Sequence, residues 1–262
     1  MTDRVRYDAA MRIASNAAQT ALKHFTAKDA LTIESKGTQD WVSNADKEVE
    51  MEIRDELSNA FPDDGIIGEE YDPVVGTSGF NWIIDPIDGT TSFVNGIPGW
   101  CVVIACVHGD RTVLGVVVDP IAKEIFSASE AVGAVLNGDT IAVSGAGELT
   151  AGSIAVGHNM RIEYKKTCRI LEELLSRGAI FYRIGSGALM LSYVAAGRLL
   201  AYVEPHMNAW DCVAAMYIIE KAGGTVQPFN MQEMLDAGGR VVASAPALYA
   251  EIDEISTQCY KD

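Results

Sequence analysis

The fold of this chain depends on one stretch, which reads Trp82-Ile83-Ile84-Asp85-Pro86-Ile87-Asp88-Gly89-Thr90-Thr91-Ser92-Phe93. Its apolar start is typical of a buried strand, which we expect to end on the carboxylate of Asp85. A second carboxylate follows at Asp88, and Gly89 then precedes hydroxyl residues at which a helix could begin. The stretch therefore predicts a corner that offers carboxylate oxygens, the ligands that Mg²⁺ prefers, beside backbone N–H groups that suit a phosphate.

The length and charge of the chain limit the classes of protein to which it can belong. Its 262 residues suffice for one domain with a large core or for two closely packed ones. Asp and Glu number 36 against 20 Lys and Arg, and the net charge of −16 argues against a broad nucleic-acid surface. Anionic substrates are not excluded, because bound divalent cations can reverse the local field.

The cysteines and the apolar segments indicate a compartment. The five cysteines are scattered without a C-x-x-C pair, which predicts reduced thiols in a cytoplasmic protein. The N-terminus leads into a helical pattern without the apolar segment of a signal peptide. No apolar run reaches the length of a membrane span. We therefore expect a cytoplasmic protein that has no membrane partner.

The order of the predicted elements indicates an α+β or mixed fold in one unit, residues 1–262. Apolar spacing predicts helices over 5–25 and 44–60, with a polar loop or hairpin tip at 34–40 between them. β-branched runs after the central stretch predict an antiparallel sheet, with a Gly-Asp hairpin turn at 109–110. We expect residues 1–140 to form the helix pair and this sheet with the main metal motif. Residues 141–262 alternate strands and helices and would carry the specificity residues.

Carboxylates at the ends of predicted elements are the candidate metal ligands. They are Glu69, Asp85, Asp88 and Asp211. A set made only of carboxylates favours Mg²⁺ or Mn²⁺ over Zn²⁺, since the four histidines are dispersed. If the short strand before Glu69 lies beside the strand before Asp85, these acids share one site. Asp46 stands near a helix start, where capping would explain it.

Several motifs together resemble the inositol monophosphatase family. They are Gly68-Glu69-Glu70, the central stretch from Trp82 to Phe93, Trp210-Asp211 and Ala222-Gly223-Gly224, and Lys36 and Asn44-Ala45-Asp46 also stand at the expected places. The resemblance covers nearly the whole chain. It implies a Mg²⁺-dependent, lithium-sensitive phosphomonoesterase with a layered α/β/α/β/α architecture. Such a protein is usually a homodimer that acts on a small phosphorylated alcohol.

The resemblance also implies a metal role for individual residues. Glu69, Asp85 and the carbonyl of Ile87 would bind one Mg²⁺. Asp85, Asp88 and Asp211 would bind a second ion, so that Asp85 bridges the two. Lys36 would lie in a loop that influences a weaker third ion.

Further residues receive catalytic and substrate roles from the same resemblance. Gly89 and Thr90 match the turn that contacts the phosphate. Asp46 and Thr90 match the pair that orients the attacking water, and Glu69 joins them as a catalytic residue. The residues expected to face the alcohol portion of the substrate are Asp88, Ser186, Glu204 and Asp211.

The substrate half departs from the usual family pattern, which leaves the alcohol open. Gly187 stands where alanine is common, and residues 205–209 replace a shorter, glycine-containing link to Trp210. Our first hypothesis is inositol 1-phosphate, and the alternative is histidinol phosphate or a sugar phosphate such as fructose bisphosphate. A different class is a regulatory protein that binds RNA or the transcription machinery. The intact acids favour catalysis, and the negative charge disfavours nucleic acid.

Overall fold

A computed structural model describes residues 3–27, 31–37 and 40–261, without the side chains of residues 35–37, 40 and 41. The α-helices in this part of the chain are α1 (Asp3–Thr26), α2 (Asn44–Ala60), α3 (Thr90–Val94), α4 (Tyr164–Ser176), α5 (Gly187–Ala195), α6 (Ala209–Lys221), α7 (Met231–Ala237) and α8 (Tyr249–Tyr260). The strands are β1 (Ile33–Gly37), β2 (Asp40–Ser43), β3 (Gly65–Gly68), β4 (Phe80–Asp88), β5 (Cys101–His108), β6 (Arg111–Asp119), β7 (Glu124–Ser129), β8 (Gly133–Leu136), β9 (Asp139–Thr140), β10 (Ser153–Val156), β11 (Ile180–Tyr182), β12 (Ala201–Met207), β13 (Thr225–Val226) and β14 (Gly239–Ser244).

The strands form two large sheets and one hairpin. The first large sheet has the order β3-β4-β5-β6-β7-β8-β9, in which β3 and β4 are parallel and the other neighbours are antiparallel. The second has the order β11-β10-β12-β14-β13, with β10 parallel to both β11 and β12. β1 and β2 form the hairpin expected at 34–40, and its tip lies outside the described residues.

Three apolar cores hold together five layers of structure, and the middle core lies on both sides of the central helix layer. α1 and α2 cover one face of the seven-stranded sheet, where Ile13 and Ile53 share a core with Trp82 and Ile84. α5 and α6 fill the space between the sheets, against the opposite-facing Ile83 of β4. α4 and α8 cover the outer face of the five-stranded sheet. The α/β/α/β/α order predicted from the resemblance is confirmed. The assignment of separate roles to residues 1–140 and 141–262 stays a prediction.

Two strands run further than their sequence indicates. The central strand was expected to end at Asp85, but β4 continues to Asp88 with an irregular register after Asp85. From the same pattern, the apolar run before Glu204 predicts a strand that ends on this acid, but β12 continues to Met207. A proline follows the acid in each case, and each irregularity lets the strand pass a residue that has no N–H to donate. The short β9, β13 and α7 have no clear periodicity and were not predicted.

A buried ion pair fixes the helix layer to the first sheet. Nη2 of Arg6 on α1 lies 2.9 Å from Oδ1 of Asp64, which directly precedes β3. The same carboxylate accepts hydrogen bonds from Ser78 and from the indole N–H of Trp82 on β4. These bonds hold down the pKa of Asp64, although its burial opposes them. One carboxylate thus connects α1, β4 and the loop before it.

The cysteines and the hydropathy of the helices complete the description of the fold. All five cysteines are free, and Cys168 is the exposed one among them. Among the described helices, none combines the length and the hydropathy needed to cross a membrane.

Candidate active site

The pairing of β3 with β4 brings the first acids together. Gly68 lies opposite Ile84 in parallel register. The residues that follow them, Glu69 and Asp85, therefore lie next to each other at the same end of the two strands. Repulsion from Glu69 contributes to a raised pKa at Asp85. The strand convergence on which the shared site depended is therefore confirmed.

An extra residue in β4 brings Asp88 to the same site. Asp85 pairs with Val103 and Asp88 with Cys101, so three steps along β4 lie opposite two steps along β5. In a regular strand, residues three apart point to opposite faces of the sheet. The bulge removes this alternation, and a carboxylate oxygen of Asp85 and one of Asp88 come within 4.8 Å of each other.

The third acid of the cluster comes from the start of α6. Asn208 is the N-cap residue, and Asp211 closes a capping box by accepting the backbone N–H of Asn208 at 3.2 Å. Ligand atoms of Asp85, Asp88 and Asp211 all lie within 4.8 Å of one another. The four acids predicted as metal ligands are thus collected at one place, with Glu69 beside Asp85.

The electrostatics of this cluster fit a divalent cation. Burial raises the pKa of Asp85 well above its usual value, and repulsion from Glu69, Asp88 and Asp211 adds to the rise. Burial raises the pKa of Asp211 to about 8, with further repulsion from Asp88. Buried carboxylates that repel one another are stabilised by a hard cation, and oxygen donors suit Mg²⁺ or Mn²⁺. Glu69, Asp85, Asp88 and Asp211 would hold it, together with the carbonyl of Ile87.

The N-terminus of α5 holds Asp88 in place. Oδ2 of Asp88 accepts hydrogen bonds from Ser186 Oγ at 2.5 Å and from Ala188 N at 2.7 Å. These bonds oppose the burial that raises the pKa of Asp88 to about 6. Ser186 itself is fully buried, so its hydroxyl orients a metal-ligand candidate, and its predicted contact with substrate stays a prediction. The available sequence signal for this role is a serine that directly precedes a helix, at its N-cap position.

Asp46 has both the capping role and the expected contact with Thr90. Its Oδ2 accepts from the backbone and the hydroxyl of Ser43, at 2.9 and 2.6 Å. Its Oδ1 lies 3.3 Å from Thr90 Oγ1, which also lies 3.1 Å from the Ile87 carbonyl oxygen. Burial raises the pKa of Asp46 to about 6. One carboxylate thus caps α2 and reaches the central stretch.

Gly89 is required by the turn that follows Asp88. Its φ is +100°, in the left-handed region that favours glycine. A Cβ here would lie 2.9 Å from the carbonyl oxygen of Gly99. Any side chain at this position would therefore move the turn that directs Thr90 toward Asp46.

A buried pair that was not predicted supports Glu69. Glu50 on α2 bonds Arg54, one turn further along the helix, at 2.8 Å. The Glu50 carboxylate also accepts the backbone N–H groups of Glu70 and Tyr71, while Arg54 donates to the carbonyl of Tyr71. A Cβ on Gly68 would lie 2.3 Å from Glu50 Oε1, which explains the glycine before Glu69. The Glu50 and Arg54 spacing of four was the available sequence signal.

A cavity of about 130 Å³ adjoins the acid cluster. Asp88, Asp211 and Glu204 are among the residues that line it. Glu204 accepts hydrogen bonds from the hydroxyl of Tyr202 and from Nδ2 of Asn159. The position of Glu204 fits its predicted contact with the alcohol, but Tyr202 and Asn159 carry no motif and were not predicted. The side chain of Lys36 lies outside the described residues.

The family to which this chain belongs follows from a comparison of its whole sequence with models of known protein families. The sequence model of the inositol monophosphatase family matches residues 3–259. The chain belongs to the inositol monophosphatase family. This is a family of Mg²⁺-dependent phosphatases, and the acid cluster is the part of the chain that suits the metal.

Relatives and solved structures of the family agree with this assignment. "Nus factor SuhB" of Pasteurella multocida is 36% identical over 260 residues, covering 97% of this chain and 96% of that protein. The Escherichia coli protein of the same name is 36% identical over 240 residues, 90% of each chain. The "extragenic suppressor protein suhB" of Bartonella henselae superposes with a TM-score of 0.90 at 29% identity, covering 96% and 98%. An IMPase of Thermotoga maritima gives 0.86 at 29% identity, covering 98% of each.

Proposed function

We propose that this protein is a cytoplasmic, Mg²⁺-dependent and lithium-sensitive phosphomonoesterase that hydrolyses inositol 1-phosphate to inositol and phosphate. The observation that supports it best is the buried cluster of Asp85, Asp88 and Asp211, whose ligand atoms lie within 4.8 Å of one another. The chemistry that Mg²⁺ supplies when bound is neutralisation of phosphoryl charge and easier deprotonation of water. Phosphoryl transfer needs positioning and charge neutralisation more than covalent catalysis.

The chain's own residues would position the water and the ester. As the water attacks, Thr90 Oγ1 would take a proton from it and pass its own hydroxyl proton to Oδ1 of Asp46. The water oxygen forms the new bond to phosphorus, and the bond from phosphorus to the alcohol oxygen breaks. The alcohol oxygen takes up a proton from a solvent water as it leaves, and Asp46 returns the proton that it received to solvent. Gly89 and Thr90 would contact the phosphate, and Glu204 would accept a hydrogen bond from a hydroxyl group of the alcohol.

Phosphate release from a panel of esters tests this proposal. We expect inositol 1-phosphate to give a higher kcat/KM than histidinol phosphate or fructose 1,6-bisphosphate, because the Glu204 carboxylate that lines the cavity can accept hydrogen bonds from the hydroxyl groups of a neutral polyol. Release should stop on chelation and return with Mg²⁺. A kcat/KM for histidinol phosphate far above that for inositol 1-phosphate would show that histidinol phosphate, and not inositol 1-phosphate, is the preferred substrate. If none of the esters releases phosphate in a Mg²⁺-dependent way, the proposed phosphatase activity is refuted.

We also propose that the protein is a homodimer that uses β11 as part of its interface. β11 is one of the two edge strands of the five-stranded sheet, and β13 is the other. All three of its residues are apolar or aromatic and exposed, namely Ile180, Phe181 and Tyr182. The family resemblance implies a second copy, and exposed apolar edge strands are surfaces that proteins normally cover.

Phe181→Asp should convert the dimer to a monomer, because a charge buried in an apolar contact is destabilising. Analytical ultracentrifugation measures this change. Val75→Asp serves as the control, since Val75 is 92% exposed and lies outside this strand. Equal sedimentation of both variants and the wild type would exclude β11 from an interface.

The names of the relatives support a second candidate, a regulatory protein of the transcription machinery. Relatives at 36% identity carry the name Nus factor SuhB. RNA gel shifts at several salt concentrations, with Mg²⁺ and with chelator, test this candidate. Salt-dependent binding that persists in chelator would support it. The absence of a shift would agree with the net charge of −16, which disfavours direct contact with RNA.

A further inference from the structure

A bulge in β12 turns two side chains into the cavity beside the acids. Glu204 pairs with Val241 and Met207 with Gly239, so β12 advances three residues while β14 advances two. In a regular strand, Glu204 and Met207 would point to opposite faces. Because of the extra residue, both line the same cavity.

The terminal methyl of Met207 occupies the place of a side chain at Gly187. A Cβ on Gly187 would lie 2.5 Å from Met207 Cε and 3.2 Å from the hydroxyl oxygen of Tyr202. The first distance is shorter than any normal contact of a Cβ atom. The two departures from the family pattern, Gly187 and the segment with Met207, are therefore two parts of one packing arrangement.

The side chains around Met207 in the cavity wall are tightly packed. Met207 is only 3% exposed, and Tyr202 beside it is fully buried with its hydroxyl bonded to Glu204. On the other side of this pair, a Cβ on Gly157 would lie 2.1 Å from Glu204 Oε2. The flexible thioether of Met207 is thus the adjustable part of a wall that is otherwise tightly packed.

We propose that Met207 determines substrate specificity, because its methyl closes the recess at Gly187 and limits the alcohol to a compact polyol of about one unsubstituted ring. This inference rests on the proposed function. A substrate with a further bulky group on the alcohol would have to displace this methyl from a buried position.

Truncation of Met207 tests the inference. We expect Met207→Ala to raise the kcat/KM for fructose 1,6-bisphosphate relative to inositol 1-phosphate by about tenfold, mainly through KM, as for a change of a few atoms in an apolar wall. Met231→Ala is the matched control, since Met231 is also buried, at 5% exposure, and lines a different cavity. Its substrate ratio should equal that of the wild type.

A second variant tests the contact with Gly187 independently of the truncation. Gly187→Ala should raise the KM for inositol 1-phosphate about tenfold by pushing the Met207 methyl into the cavity. Adding Met207→Ala should restore that KM, because it removes the methyl that would lie closest to the new Cβ. Thermal unfolding of each variant reports whether the fold is retained.

Three outcomes would contradict the inference in distinguishable ways. If the wild type releases phosphate but Met207→Ala leaves the ratio of kcat/KM between the two esters unchanged, Met207 does not determine specificity, and the proposed phosphatase activity still stands. A double variant that is no better than Gly187→Ala refutes the contact between the two positions. No release by the wild type from either ester refutes the proposed function and this inference with it.

Discussion

Asp88→Asn should lower the Mg²⁺-dependent kcat at least ~10³-fold, which corresponds to about 4 kcal/mol of transition-state stabilisation. Ser186 Oγ and Ala188 N both donate to Oδ2 of Asp88. The amide oxygen of an asparagine would take over these two bonds, and its NH₂ group would then face Asp85 and Asp211. An N–H donor cannot ligate a cation, so the substitution removes a ligand while the surrounding hydrogen bonds remain.

The same variant has a second readout that does not depend on activity. A ligand that binds only the folded state raises the melting temperature by mass action, so Mg²⁺ should raise it in the wild type. This rise should be lost in Asp88→Asn. Without Mg²⁺, the variant should be at least as stable as the wild type, because the repulsion that contributes to the raised pKa of Asp85 is reduced.

Asp119→Asn is the control for loss of a buried carboxylate. Asp119 ends β6 and is 4% exposed, and its Oδ1 accepts the N–H groups of Ile121 and Ala122 at 2.9 Å, which an amide oxygen can also do. The kcat of the Asp119→Asn variant should stay within about twofold of the wild-type value, as expected for a residue without a transition-state contact. Mg²⁺ should raise the melting temperature of this variant as it does for the wild type. If Asp88→Asn behaves like this control, Asp88 is not a metal ligand.

Thr90→Val should lower kcat by about 10²- to 10⁴-fold, the range associated with a positioned proton acceptor. Valine keeps the shape of threonine but removes the hydroxyl that lies between Asp46 and the Ile87 carbonyl. Thr90→Ser retains that hydroxyl and should recover most of the activity. Because Asp88 and the other acids are untouched, the Mg²⁺-induced rise in melting temperature should persist in both variants.

Asp46→Asn should act on the same step as Thr90→Val. We expect a loss of similar size, and the double variant should be little worse than either single one, since residues that act as a unit are not additive. Thr91→Val provides the control, because Thr91 is the exposed neighbour of Thr90. Turnover of Thr90→Val within threefold of the Thr91→Val value would exclude the hydroxyl from the chemistry.

Much of the architecture could be read from local patterns. The spacing of Ile13 and Ala17, and of Ile53 and Leu57, predicted the helices that cover the first sheet, and these side chains are fully buried. The hairpin of β5 and β6 followed from its Gly109 turn, where φ is +61°. The short β13 and α7 were missed, because a few residues do not establish a period.

The acid set and the family could be predicted from the sequence, since the carboxylates stand in recognisable motifs at the ends of elements. Only the tertiary structure decided how they face one another. Asp85 and Asp88 share a site through the bulge in β4, Ser186 orients Asp88, and Met207 reaches Gly187 through the bulge in β12. The physical reason is that apolar periodicity is a local property of the chain. The register of a strand, by contrast, is set by hydrogen bonds to a partner that is distant in sequence.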